Sequence, residues 1–74
     1  MKTIKTFDGE YTFTDQEFAA LYLIVKNNLA DYDRASDSLA DYAYDNAMDF
    51  NISAVLDYMR AYVIEEQLED AKYD

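Results

Sequence analysis

Hydrophobic and polar positions alternate along residues 2–13 and recur at helical spacing after that. The alternating segment contains Asp8-Gly9, a pair that favours a two-residue turn between antiparallel strands. The only glycine of the chain therefore predicts a β-hairpin with its turn at this pair. That register places Ile4 opposite Phe13 and makes their side the face to be buried. A hairpin alone is marginal in water, so we expect it to pack on helices.

The first helix has a clear start signal. Thr14 and Glu17 are spaced as a capping box, in which each side chain accepts a backbone N–H of the other residue. Apolar residues follow at helical spacing and include Phe18, Leu21 and Val25. The pattern predicts a helix over about residues 14–30, and the width of its apolar stripe indicates the central helix of the bundle.

Two further helices are predicted, over about residues 34–50 and 52–71. The candidate N-caps are polar residues next to each start, namely Asp33 or Ser36 for the second helix and Asn51 or Ser53 for the third. The third helix has an apolar stripe of Ile52, Val55, Leu56, Met59 and Val63.

Composition fits one small domain over residues 1–74. A chain of 74 residues is near the lower size limit for a core without disulfides or metal. Hydrophobic residues make up 51% of it, enough for folding despite a net charge of −10. There is no cysteine, which excludes a disulfide scaffold. We predict an α+β fold in which an N-terminal β-hairpin packs on a three-helix bundle.

An aspartate recurs at every fourth position in the second predicted helix. This aspartate row consists of Asp33, Asp37, Asp41, Asp45 and Asp49. Each step rises about 6 Å and turns about 40° past a full revolution, so the row predicts a spiral of charge about 24 Å long. Each like-charged pair at this spacing costs about 0.2–0.5 kcal/mol. Two interpretations remain open, a solvated face with an accidental period or a surface that meets a basic partner.

The remaining charge points to the same kind of partner. Acids outnumber bases by sixteen to six, and those on the third helix extend the negative field. The candidate partner-binding acids outside the row are Asp57, Glu65, Glu66 and Glu69. Repulsion disfavours direct binding to nucleic acid or to anionic lipid, so basic partners are expected.

Catalytic and cofactor chemistry is not expected. The chain has no histidine or cysteine, and so lacks the usual general base and thiol nucleophile. Asp31, Asp33 and Asp37 match positions one, three and seven of a calcium-binding loop. However, Ser36 stands where that loop needs glycine and Tyr42 where it needs a bidentate glutamate. We therefore predict no enzyme activity, no cofactor and no metal site.

Eight tyrosines are many for a chain of this size. Tyr22 and Tyr62 lie on apolar stripes, which favours a place in the core. Tyr42, Tyr44 and Tyr58 lie beside acids, and for them core packing and partner contact are equally open.

A small, strongly acidic domain without cysteine, with an aspartate row on a helix and scattered tyrosines, resembles the DNA-mimic proteins of phages and mobile elements. These include anti-restriction proteins and several anti-CRISPR inhibitors. The resemblance covers residues 31–74 and implies an inhibitor whose carboxylates replace phosphates in the cleft of a basic nucleic-acid-binding protein. Such a partner is a restriction enzyme, a CRISPR effector or a nucleoid protein. A duplex carries one charge per about 1.7 Å of its axis, whereas the aspartate row carries one per about 6 Å. Mimicry therefore also needs Asp57, Glu65 and Glu69 or a second subunit.

The alternative function is an acidic protein–protein interaction module without mimicry, which neutralises a basic toxin or completes an assembly. The sequence also leaves open whether the protein forms a homodimer. The longest apolar run, at residues 19–25, is far shorter than the roughly twenty residues that cross a bilayer. We expect no membrane association and a place in the cytoplasm, that of a host bacterium if the protein is encoded by a phage.

Overall fold

The computed structural model describes the backbone of residues 1–72 and the side chains of residues 1–68. Its elements are β1 (Lys2–Thr6), β2 (Gly9–Phe13), α1 (Asp15–Asn27), α2 (Tyr32–Asp45) and α3 (Ile52–Lys72). The two strands form an antiparallel hairpin that contacts α3 through β1 and α1 through β2. The predicted α+β fold, a hairpin on three helices, is confirmed.

The hairpin turn lies one residue earlier than predicted. Thr6 pairs with Gly9, so Phe7 and Asp8 form the turn. A type I′ turn at Asp8-Gly9 would need positive φ at both residues, whereas Gly9 has φ 116° and Asp8 a negative φ. Gly9 instead follows the turn in the positive-φ conformation that glycine tolerates best. The Thr6 hydroxyl stabilises this turn by accepting the Asp8 N–H (3.2 Å) and donating to the Gly9 carbonyl (2.8 Å).

The wrong turn position did not change which face of the hairpin is buried. Moving the turn by one residue shifts the pairing by two, and side chains alternate between faces with a period of two. Ile4 therefore lies opposite Tyr11, and Phe13 lies opposite Lys2. Ile4 and Phe13 are nevertheless both buried, with 1% and 3% of their surface exposed.

The capping box at the start of α1 is confirmed. The Thr14 hydroxyl accepts the Glu17 N–H at 3.0 Å, and the Glu17 carboxylate accepts the Thr14 N–H at 2.7 Å. The helix ends at Asn27, within the range of about residues 27–30 that the sequence indicates, with Asn28 as its C-cap. Its buried residues are Phe18, Leu21 and Val25.

The start of α2 was predicted wrongly. Its N-cap is Asp31, whose carboxylate accepts the Arg34 N–H at 3.1 Å, rather than Asp33 or Ser36. Asp33 instead lies inside the first turn, where its charge interacts favourably with the helix dipole.

The end of α2 also differs from the prediction, because the helix stops at Asp45 and not near residue 50. Ala47 is left-handed, with φ 53°. Its N–H donates to the Tyr44 carbonyl (3.3 Å), and the Met48 N–H donates to the Ala43 carbonyl (2.8 Å). These two bonds form a Schellman motif with alanine where glycine is usual.

Packing of the connector between α2 and α3, residues 46–51, explains the early end. Met48 and Phe50 are partly buried against the core. The Phe50 ring meets that of Phe13 edge to face, with centroids 5.6 Å apart. This packing accompanies the left-handed turn at Ala47 and leaves Asp49 in the connector.

The central helix is α3 rather than α1. It begins at the N-cap Asn51, whose side-chain oxygen accepts the Ala54 N–H at 3.2 Å. It contacts α1, α2 and β1. Among its described side chains five are buried, against three on α1, and these are Ala54, Val55, Leu56, Met59 and Val63.

Replacing Leu56, which is fully buried, by alanine should lower the free energy of unfolding by about 2–5 kcal/mol, because it leaves a cavity in the core. The matched control is Leu68→Ala on the same helix, where 60% of the side chain is exposed and a change within about 0.5 kcal/mol is expected. Urea unfolding measures both. Equal losses would contradict this assignment of the core.

Replacing Ala47 by glycine should raise the free energy of unfolding by about 0.5–1 kcal/mol, because the left-handed conformation is costly for alanine. The control is Ala40→Gly in the exposed middle of α2, which should lower it by about 1 kcal/mol. Thermal unfolding of the two variants should therefore shift in opposite directions. A loss of stability in both would show that Ala47 is not strained.

Candidate functional site

Four members of the predicted aspartate row lie on α2, and all are exposed. They form the acidic face of α2, which consists of Asp33, Asp37, Asp41 and Asp45. The opposite side of the helix buries Ala35, Leu39 and Ala43 against the core. Because these apolar residues also recur every fourth position, they hold the carboxylates in solvent along about 18 Å of the helix.

The acidic face has no compensating ion pair among the side chains of residues 1–68. The ion pairs there join the Met1 amino group to Asp15 (3.2 Å) and Lys5 to Glu10 (4.0 Å). Arg34, the one base on α2, is exposed and belongs to neither. The charge of the row is therefore neutralised by no ion pair there, and it is moderated by the nearby Arg34, solvent and salt.

Three bases of the chain lie over aromatic rings instead of beside carboxylates. The pairs, with the distance to the ring centroid, are Lys2 over Phe18 (5.5 Å), Lys26 over Tyr22 (5.8 Å) and Arg60 over Tyr32 (5.3 Å). Each distance is within the range of a cation–π interaction. Lys2 and Lys26 thus lie over rings of α1, whereas Arg60 lies over the first residue of α2.

Tyr44 is the aromatic side chain of the acidic face, with 87% of its surface exposed. It follows Asp41 by three residues and Asp37 by seven, and both separations bring residues to the same side of a helix. The ring thus stands among the carboxylates, in solvent. No signal in the sequence separated it from the tyrosines that pack.

The structure resolves the alternatives for the other tyrosines. Tyr22 and Tyr62 pack against the core as predicted, with their ring centroids 6.0 Å apart. Tyr58 stacks on Tyr62 at 6.4 Å, and Tyr42 is partly buried against the core. Of the three tyrosines left open by the sequence, Tyr44 alone faces solvent.

Asp49, the fifth member of the predicted row, is not on α2. It is exposed in the connector, near the hydroxyl of Tyr11. That hydroxyl donates to Asp8 Oδ2 (2.8 Å) and accepts the Asn51 N–H (3.3 Å). The hydrogen bond to Asp8 raises the pKa of Tyr11, and the charge of Asp49 adds to the effect. The hairpin turn therefore adds the carboxylate of Asp8 at this end of the molecule, which the sequence did not predict.

Asp57 is brought to the beginning of α2. It is exposed, and its carboxylate accepts the Tyr32 hydroxyl at 3.3 Å. Tyr32 is the first residue of α2, and its ring also lies under the guanidinium of Arg60. Asp57 is thus the candidate acid of α3 that the structure connects to the helix bearing the row.

The other candidate acids of α3 follow Val63, the last residue that is buried among the side chains up to residue 68. Glu65 is exposed and Glu66 is half-buried. Consecutive residues of a helix diverge by about 100°, so these two do not form a common row. The side chain of Glu69 lies outside the described residues.

The calcium-loop pattern does not form, because residues 32–45 are helical. No group of three or more acids among the described residues is arranged to hold a metal ion. No pocket opens in that same part of the chain. None of its helices combines the length and the apolar content that crossing a membrane requires.

The chain matches no protein-family model, no curated protein sequence and no solved structure. Its function is therefore argued from the charge and shape of its own surface.

The two ends of the acidic face should differ in their effect on stability. Asp33 and Asp45 each have one like-charged neighbour on α2 four residues away, but Asp33 is in the first turn and Asp45 in the last. Asp45→Asn should raise the free energy of unfolding by about 0.5–1.5 kcal/mol, because it removes repulsion and an unfavourable interaction with the helix dipole. Asp33→Asn should leave the free energy of unfolding nearly unchanged or slightly lower. It relieves the repulsion from Asp37 but also removes a favourable interaction with the helix dipole. Urea unfolding at low salt measures both, and a gain at Asp33 equal to that at Asp45 would contradict the assignment.

Proposed function

We propose that this protein inhibits a basic nucleic-acid-binding protein by presenting the acidic face of α2 in place of nucleic-acid phosphates. One observation carries the proposal. Four exposed aspartates follow one another at single-turn spacing, and none has an ion pair among the described side chains.

The energetic cost of this face supports a binding role. Three consecutive like-charged pairs cost about 0.6–1.5 kcal/mol in total, and Asp45 also opposes the helix dipole. Mixing lysine with glutamate on the same face would turn the repulsion into attraction. A basic partner would likewise supply attraction to these carboxylates, here across the interface. Complementary charge of this kind accelerates association and fixes the orientation of the two proteins.

The spacing defines how much of a nucleic acid the face can imitate. One strand of a duplex carries a phosphate per about 3.4 Å of axis, and the face carries a carboxylate per about 6 Å. It therefore resembles part of one strand rather than a whole duplex. Asp57, beside the start of α2, adds a further carboxylate at one end.

The alternative, an acidic interaction module without mimicry, is favoured by the exposure of Tyr44. Exposed tyrosines are frequent among the residues that dominate the energy of protein–protein contacts. Binding through the ring would depend less on salt than binding through carboxylates alone. The two functions therefore differ in salt dependence and in competition with DNA.

The test compares wild-type protein with a row variant, in which Asp33, Asp37, Asp41 and Asp45 are all changed to Asn. Each is immobilised and exposed to a bacterial lysate, and the retained proteins are identified. The wild type should retain a basic nucleic-acid-binding protein at about 50 mM salt and release it by about 200 mM. The row variant should not retain it, although its circular dichroism should be unchanged.

The matched control removes four acids on the hairpin and at the start of α1 instead, through Asp8→Asn, Glu10→Gln, Asp15→Asn and Glu17→Gln, and Gln at position 17 can keep the capping box. It has the same net charge as the row variant and should still retain the partner. Equal loss in both variants would show that net charge matters and the row does not. A partner that stays bound at both salt concentrations and binds DNA at the same time would contradict mimicry and leave the interaction module.

A further inference from the structure

We infer that Tyr44, with the carboxylates beside it, is a docking position for arginine side chains of the partner. This inference rests on the proposed function and adds a chemical preference to it, for surfaces rich in arginine over surfaces rich in lysine.

The first observation is the position of Tyr44 on the acidic face. The side chain is 87% exposed, with Asp41 one turn and Asp37 two turns before it on the same side of the helix. Ala40, also one turn before it, is exposed and small, so it leaves room beside the ring. The aromatic surface is therefore open to a flat group that also seeks a carboxylate.

The second observation is an arrangement of the same groups elsewhere in this molecule. The guanidinium of Arg60 lies 5.3 Å from the ring centroid of Tyr32. The hydroxyl of that tyrosine donates to the carboxylate of Asp57 at 3.3 Å. One tyrosine thus carries an arginine on its ring face and an aspartate at its hydroxyl, while the guanidinium itself donates to the Leu29 carbonyl (3.5 Å). On the acidic face of α2, a tyrosine and aspartates are present in solvent, and the arginine would come from the partner.

The chemistry of the two basic side chains explains the preference. A guanidinium is planar and weakly hydrated, stacks on aromatic rings and binds a carboxylate through two parallel hydrogen bonds. An ammonium is compact and strongly hydrated, and it interacts with carboxylates as a point charge. Carboxylates alone attract both groups, whereas a ring among them favours arginine.

The experiment measures the affinity of fluorescein-labelled octa-arginine and octa-lysine peptides by fluorescence anisotropy at about 50 mM salt. The variants are Tyr44→Leu, which removes the ring, and Tyr44→Phe, which keeps it. The control is Phe7→Leu, because Phe7 is a 71% exposed aromatic residue on the hairpin turn and not part of α2.

The wild type should bind octa-arginine more tightly than octa-lysine. Tyr44→Leu should weaken the binding of octa-arginine about 2- to 5-fold and the binding of octa-lysine less. The ratio of the two affinities should therefore fall. Tyr44→Phe and Phe7→Leu should keep the preference. Because Tyr44 is exposed, all these variants should fold, which circular dichroism checks.

The possible failures are distinguishable. If neither peptide binds the wild type, the proposed function fails together with this inference. If both bind and Tyr44→Leu leaves their ratio unchanged, the inference is overturned and the basic partner stands. If Phe7→Leu reduces the preference as much as Tyr44→Leu does, the effect is not located on α2 and the inference is also overturned.

Discussion

Burial of the apolar side of α3 is the constraint on which the rest of the structure depends. Leu56, Met59 and Val63 are completely buried, and both other helices and β1 pack around this helix. In so small a domain this core must offset chain entropy and the repulsion of a net charge of −10. Among the residues with described side chains, no polar or charged one is buried. The core thus accepts no carboxylate, and the acids are displayed on the surface.

The connector between α2 and α3 joins this core to the candidate site. Phe50 packs on Phe13 of the hairpin, and the Tyr11 hydroxyl accepts the N–H of Asn51. These contacts accompany the left-handed turn at Ala47 that ends α2. They shorten the aspartate row to four members and place Asp49 beside the hairpin. The acidic face therefore ends where the connector begins to pack on the hairpin.

The acidic face shows how a stable fold accommodates a costly surface. Leu39 anchors α2 in the core, and its burial directs Asp37 and Asp41 outward, because residues two positions apart point to nearly opposite sides. Loss of stability at exposed positions is tolerated as long as the core compensates for it, and such trade-offs are common at binding surfaces. The proposed preference for arginine depends on the same geometry, since Tyr44 shares the outward side.

The sequence by itself determined the elements, the hairpin face that is buried and the exposure of the four aspartates on α2. The physical reason is that a capping box such as Thr14 with Glu17, strand alternation and helical periodicity all act between residues at most four positions apart. The turn at Phe7-Asp8 is equally local, because the Thr6 hydroxyl holds it. Only the tertiary structure decided the end of α2 at Asp45 and the packing that separates Tyr42 and Tyr58 from the exposed Tyr44. These features depend on contacts between segments distant in sequence, as between Phe13 and Phe50, whose energies local patterns do not encode.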